Sequence, residues 1–206
     1  MSVEQFEYSR AHTLELGYDG KIQFLLRDYR DLNQVYDRIA SFGMFEHVGR
    51  GFDNEFFQKC HKVLADDGVL LLHSLGRSDG PGITNPWLAK CIFPGGHIPA
   101  QSEVLTAIER AGFLVTDIEI LRLHYADQGV ARRGEVAHLY DERLCRMWEL
   151  YFVSSEMAFR EEGMMVFQIQ MTKAQGVVPN ISDYIAENET YLRSKENSKR
   201  IDALIV

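Results

Sequence analysis

Glu46 and His47 follow directly on a short apolar run, Tyr36 to Phe42, that ends at Gly43. A seven-residue run carrying Ile39, Ala40 and Phe42 suits a strand covered on both faces. In open α/β sheets, ligands bind in the crevice beyond the carboxyl ends of such strands. His73 stands just past a second run of this kind, Val69 to Leu72. Two acid/base-capable side chains at neighbouring strand tips can converge on one pocket, which is what proton transfer to or from a bound substrate needs. The alternative is that Glu46 caps a turn, His47 lies on the surface and His73 is a hydrogen-bonded rim residue. A third candidate pair, Asp28 and Tyr29, closes the run Lys21 to Leu26, read as a further strand. A carboxylate accepts from an exocyclic amine and a tyrosine ring stacks on a purine, so this pair suits an adenine pocket; a polar turn between strands is the plainer reading.

The elements that must position these residues alternate along the chain. Ser2 with Gln5 resembles a capping box, and Gly17 marks the end of a first helix. Phe52 to Leu64 has helical apolar spacing and is closed by Asp66-Asp67-Gly68, which makes it a crossover between two parallel strands. Arg77 to Pro99 is rich in proline and glycine around the apolar stretch Trp87 to Phe93, the composition of a lid or binding loop. A helix opened by Ser102 runs to Gly112, and a strand from Phe113 to Leu123 is closed by His124 and Tyr125. Val136 to Phe159 is the longest helical pattern and is apolar on more than one side, as in a buried helix or one that lines an acyl tunnel. Met164 to Met171 alternates and is expected as the final strand, antiparallel at the sheet edge. From Val177 the chain turns polar, and Glu187 to Arg200 reads as a loosely attached helix or a disordered tail. The expectation is one α/β domain over residues 1–173, with a polar tail over 174–206.

Composition narrows the partners. The 206 residues carry a net charge of −8 and no run of Lys or Arg, which excludes the basic face that a nucleic acid demands. Cys60, Cys91 and Cys145 show neither paired nor zinc-finger spacing and point to a reducing, cytoplasmic setting. The first residues lack the basic and apolar regions of a signal peptide, and no apolar run is long enough to span a bilayer.

Several ordered segments carry a resemblance. Tyr36 to Gly49, Gly-Val-Leu-Leu-Leu-His-Ser-Leu-Gly at 68–76, Trp-Leu-Ala-Lys-Cys-Ile-Phe-Pro-Gly-Gly at 87–96, Tyr-Asp-Glu-Arg-Leu-Cys-Arg-Met-Trp-Glu at 140–149 and Phe-Gln-Ile-Gln at 167–170 are similar to the cyclopropane-fatty-acyl-phospholipid synthase family. The resemblance covers roughly residues 2–173. It implies a Rossmann-like class I methyltransferase sheet and transfer of a methylene from S-adenosylmethionine to the cis double bond of a phospholipid acyl chain, with bicarbonate as the base. By the same correspondence, Glu46, His73 and Tyr125 hold the anion and are catalytic, with the backbone of Leu75 contributing. Gln5 is matched to the ribose, Asp28 and Tyr29 to the adenine end, and Phe42 with Gly43 to the side of the cofactor. The family's glycine-rich loop falls before residue 1, and the segment 127–133 is shorter than the family pattern. The sheet is therefore expected to be incomplete on its N-terminal side, with two unpaired edges. The implied partners are an unsaturated phospholipid, reached by peripheral contact with the inner membrane face, and a second copy of the chain. Two other functions fit the same residues: a related methyltransferase on another acceptor, and a non-catalytic fragment that acts by strand pairing.

Overall fold

The computed structural model describes residues 3–127 and 141–196 and divides the chain into two compact units, Met1–Gln34 and Val35–Val206. In the first unit, helix α1 spans Val3–Glu15 and ends where Gly17 takes a φ of +71°, a conformation that glycine adopts without steric cost. Ser2 lies outside the described residues. Lys21 to Leu26 is not a strand, contrary to the expectation from its pattern. The Tyr18 carbonyl accepts from the amides of both Lys21 and Ile22, which turns the chain, and no strand among the described residues pairs with the segment 23–26. An apolar alternation without a ladder partner leaves its backbone groups to solvent. Asp28 then caps a short 3₁₀ turn, Tyr29–Asp31.

The second unit is built on β1 (Tyr36–Phe42), α2 (Asp53–Val63), β2 (Leu64–Arg77), α3 (Pro86–Cys91), α4 (Gln101–Arg110), β3 (Leu114–Leu121), α5 (Glu142–Glu161), β4 (Met164–Thr172) and α6 (Asp183–Glu196). The strands form one sheet in the order β1-β2-β4-β3. β1 and β2 are parallel, as the crossover through α2 requires, whereas β4 is antiparallel to both of its neighbours. The expectation of an edge position for β4 is thus corrected: it lies inside the sheet. Val166, Phe167, Ile169 and Met171 are wholly buried, which an edge strand with one wet side could not achieve. β1 and β3 are the edges, and among the residues of β1 only Ser41 is buried, so the reading of a strand covered on both faces fails there. With no strand at 21–26, the described sheet has a single unpaired edge on this side, not two.

β2 is much longer than its apolar core suggests, running through Asp66-Asp67-Gly68 at one end and His73 to Arg77 at the other. β4 pairs with it from Val69 to Arg77, so His73 sits within the strand and not past its tip. Its level in the sheet is nevertheless that of the end of β1, because Phe42 is its register partner. One face of the sheet presents Leu70, Leu72, Phe167 and Ile169, all without solvent exposure. Each such side chain stabilises the fold by about 1.5–3 kcal/mol. The other face carries Leu75, Val166 and Leu121 under Phe159 of α5. Phe45, Phe56 and Phe57 interlock with ring centroids 5.1–5.4 Å apart.

α4 starts one residue before Ser102, with Glu103 reaching back to accept from the Ala100 amide at 2.8 Å. α5 starts later than its pattern, where Asp141 accepts from the Leu144 amide at 2.8 Å; the expected stretch 136–140 lies outside the described residues. The polar tail contains α6, and its entry is tied to the sheet by Ser182 donating to Asp117 at 2.6 Å and by Gln170 donating to Tyr184. Among the described residues, no helix is long and apolar enough to cross a membrane.

Gly76 admits Phe167 beside it: a Cβ at this position would run into the Phe167 ring and stand 3.2 Å from the Pro99 carbonyl. Gly76→Ala is therefore expected to lower stability by about 1–3 kcal/mol through overpacking, despite the lower chain entropy of alanine. A fall in the urea midpoint, read by circular dichroism, checks this.

Candidate functional site

The sheet's α5-bearing face and the turn after β1 enclose a cavity of about 920 Å³. Gly43, at φ +58°, turns the chain out of β1, and its amide donates to the His73 carbonyl at 3.2 Å. A single 3₁₀ turn comes next, Phe45–His47. Phe45 is sunk between Phe56 and Phe57, which fixes the turn and sends the neighbouring Glu46 toward the cavity. Glu46 is only 7% exposed. Its carbonyl accepts from the His97 amide at 2.9 Å, and its Oε1 accepts from the Leu75 amide at 2.5 Å. Its Oε2 is buried and has no hydrogen-bond partner among the described residues.

Tyr125 lines the same cavity from a helical turn over 124–127. Its ring stacks on Phe159 at 5.8 Å, Ala126 beside it is buried, and Asp127 accepts from Arg160 of α5 at 3.0 Å. The turn is thus fastened to α5 by packing on one side and by an ion pair on the other. The His73 ring lies 6.5 Å from the Tyr125 ring and 5.4 Å from that of Phe42. Its Nδ1 is 3.1 Å from Nε2 of Gln168, directly across the ladder. Burial pulls the His73 pKa below the ordinary histidine value, and the Glu46 carboxylate opposes that shift without reversing it.

The structure therefore brings Glu46, Leu75 and Tyr125 to the lining of one cavity, whereas His73 is not among the lining residues and stands beside Tyr125. The Leu75 amide, matched to the anion itself, is directed at the Glu46 carboxylate. Phe42 is 59% exposed, and Gly43 shares the cavity with Glu46. Gln5, Asp28 and Tyr29 belong to the first unit. Asp28 accepts from the Arg30 guanidinium at 2.6 and 3.0 Å and from the Arg30 amide at 2.9 Å, bonds that hold its carboxyl down to about 2. The rest of the cavity is mixed, with Arg77, Asp79, Asn85 and Glu162 as well as an aromatic side. Phe93 of the 77–99 loop meets Tyr151 at 5.6 Å, and Tyr151 meets Trp148 at 5.5 Å, so the loop and α5 share one aromatic wall. Burial raises the Tyr151 phenol above its ordinary range, which keeps it neutral.

Two contacts of the site are not legible in the sequence. Gln168 is visible as a polar residue in an apolar alternation, but its partner is set by an antiparallel register that no local pattern encodes. Phe159, the platform under Tyr125, looks like any other core residue of a long helix.

The sequence profile of the mycolic acid cyclopropane synthetase family matches residues 1–169. The chain belongs to this family. Among its curated relatives are the cyclopropane-fatty-acyl-phospholipid synthase of Escherichia coli, 31% identical over 158 residues, and the tuberculostearic acid methyltransferase of Mycobacterium tuberculosis, 31% identical over 181 residues. These alignments cover 74% and 82% of this chain, but 41% and 42% of the relatives. The chain thus spans about two fifths of their length. The solved structure of mycolic acid cyclopropane synthase CmaA1 complexed with SAH and CTAB superposes with a TM-score of 0.65 at 25% identity, covering 80% of this chain and 66% of that one. The four-stranded sheet is accordingly that of a Rossmann-like class I methyltransferase of the cyclopropane synthetase family.

His73 should titrate below the ordinary histidine range, and Glu46→Gln, by removing the carboxylate that opposes the shift, should lower it further. The imidazole of unfolded chains takes up its proton first, so the contribution of His73 to acid lability starts as the pH falls below the ordinary value and is complete once the depressed one is passed. NMR titration of the ring, with urea midpoints at each pH, measures both effects.

Proposed function

We propose that this family member is of the cyclopropane-fatty-acyl-phospholipid synthase type, transferring a methylene from S-adenosylmethionine to the cis double bond of a phospholipid acyl chain. One observation carries the reading: a carboxylate oxygen, Glu46 Oε2, is buried without a partner among the described residues at the wall of the cavity. Unpaired buried oxygens are rare in native proteins, because leaving one costs about 1–3 kcal/mol, and a ligand that donates a hydrogen to it accounts for its survival. Bicarbonate has such a hydroxyl, and its remaining oxygens suit the donors that an uncharged imidazole and a phenol offer. Glu46 as the acceptor, with His73 and Tyr125 as the donors, is therefore a set that suits the ion. Held there, bicarbonate would supply the base for the proton that ring closure sheds. The Leu75 amide acts through Glu46, keeping Oε1 occupied so that Oε2 is the oxygen presented.

S-adenosylmethionine, when bound, supplies an electrophilic methyl group beside a sulfonium cation. The exposed ring of Phe42 offers a π-face to such a cation, and Gly43 leaves open space at the cavity wall. Within the first unit, Asp28 accepts from Arg30 twice on Oδ1 and once on Oδ2, so a lone pair on Oδ2 is left for an adenine amine; Tyr29 follows it in the chain, and Gln5 is the residue matched to the ribose. Trp148, Tyr151, Phe152 and Phe93 make a water-poor channel for the acyl chain, consistent with a substrate drawn from a bilayer by peripheral contact at the cytoplasmic face. The kinship with a tuberculostearic acid methyltransferase favours, as a second reading, methyl transfer to a fatty acyl chain without ring closure.

Isothermal titration with S-adenosylhomocysteine should give micromolar affinity, and vesicles of unsaturated phospholipid should gain ring protons in the NMR spectrum of their acyl chains. Glu46→Gln should spare the affinity and lower methylene transfer by roughly 100-fold or more, the scale of a lost acid–base group. Retained transfer would reject the role of Glu46, and a methyl branch in place of a ring would favour the second reading.

A further inference from the structure

We propose that Gln168 is a positioning residue that sets the tautomer of His73, holding the single proton of the neutral ring on Nε2. The two residues are register partners on adjacent antiparallel strands, with Gln168 Nε2 at 3.1 Å from His73 Nδ1. The amide nitrogen of a glutamine donates and never accepts. A ring nitrogen that receives its hydrogen bond must present a lone pair, so the imidazole proton resides on the opposite nitrogen. The backbone of Gln168 is held at this level, since its flanking residues Phe167 and Ile169 are wholly buried and it lies in the ladder between β2 and β3.

The chemistry of the site depends on which tautomer is present. With the proton on Nε2, a neutral His73 donates from that nitrogen; with the proton on Nδ1, the same nitrogen is an acceptor and repels an anion's oxygen. Desolvation supports the neutral form by pulling the pKa down. The groups that bear on the ring are Glu46 and Tyr125 at the cavity, Phe42 across β1, Gln168 across β4 and, beyond Gln168 in the same row, Glu119 of β3. Of these, Gln168 is the one that stands within hydrogen-bond distance of Nδ1.

The tautomer of the ring stands on geometry alone; its consequence for turnover rests on the function proposed above. The test is ¹⁵N NMR of the full chain labelled at histidine, with the His73 signals assigned by their loss in His73→Asn. At neutral pH the wild type should show an unprotonated Nδ1 and a protonated Nε2. Gln168→Glu puts an acceptor in place of the donor and should move the proton to Nδ1 and raise the titration point of the ring. Gln168→Met, of similar length and with no donor, should leave a mixture of tautomers, and it carries the comparison if the glutamate variant does not fold. Where the wild type transfers methylene groups, Gln168→Glu should lower kcat by roughly 10-fold or more, the effect of losing an outer partner of a functional histidine, with S-adenosylhomocysteine affinity unchanged. A wild-type ring protonated on Nδ1, or a Gln168→Glu variant with the wild-type tautomer and titration point, overturns the proposal. A wild type with the expected tautomer but no transfer upholds the proposal and counts against the proposed reaction alone.

Discussion

The hydrogen bond from the Leu75 amide to Glu46 Oε1 is the interaction on which the site depends. A carboxylate so nearly shielded from water needs compensation, and a charge-assisted bond of this kind contributes about 1.5–3 kcal/mol. The bond also crosses from the turn after β1 to β2, so it ties the two parallel strands together at the level of the cavity. Two further constraints make it reproducible: Phe45 clamps the turn from within the core, and the His97 amide holds the Glu46 carbonyl from the 77–99 loop. The carboxylate has little freedom left, and Oε2 is the oxygen without a hydrogen-bond partner among the described residues.

Much of this is legible along the chain because its signals are local. Glycine at 43 after an apolar run, an acid at 46 just beyond it, and a long apolar helix before the last strand are features that side-chain type and spacing report directly. The effects of strands on one another leave no such mark. The pattern at 21–26 is a good strand by alternation, but a strand exists only where a neighbour accepts its hydrogen bonds, and Tyr18 turns the chain first. A strand that comes last in the chain is naturally expected at an edge, yet burial of Phe167, Ile169 and Met171 requires neighbours on both sides of β4. The full length of β2 is hidden for the converse reason. Asp66, Asp67 and Gly68 look like a turn, and only pairing with β1 and β4 draws the strand through His73 to Arg77.

That register has a chemical consequence. A residue past a strand tip is free to choose its surroundings, whereas His73, inside the ladder, has them chosen for it: Phe42 on one side and Gln168 on the other. The resemblance to cyclopropane synthetases marks His73 as a site residue and includes Gln168 in one of its segments, but it assigns no role to that side chain. The hydrogen-bonding face of the ring is decided by the pairing of two strands whose facing residues are 95 positions apart in the chain.

The electrostatic balance at His73 then decides how Glu46 can be used. Two effects oppose each other at the ring, burial that lowers its pKa and the Glu46 charge that raises it, and burial wins. Had the carboxylate won, a cationic imidazole would be the natural partner for Oε2, and the buried oxygen would be neutralised by the protein itself. Because the ring stays neutral, the carboxylate keeps an unsatisfied acceptor while the imidazole and the Tyr125 phenol keep their donors. On the function proposed above, a small oxyacid anion is complementary to that combination: it brings one hydroxyl for the acceptor and bare oxygens for the donors.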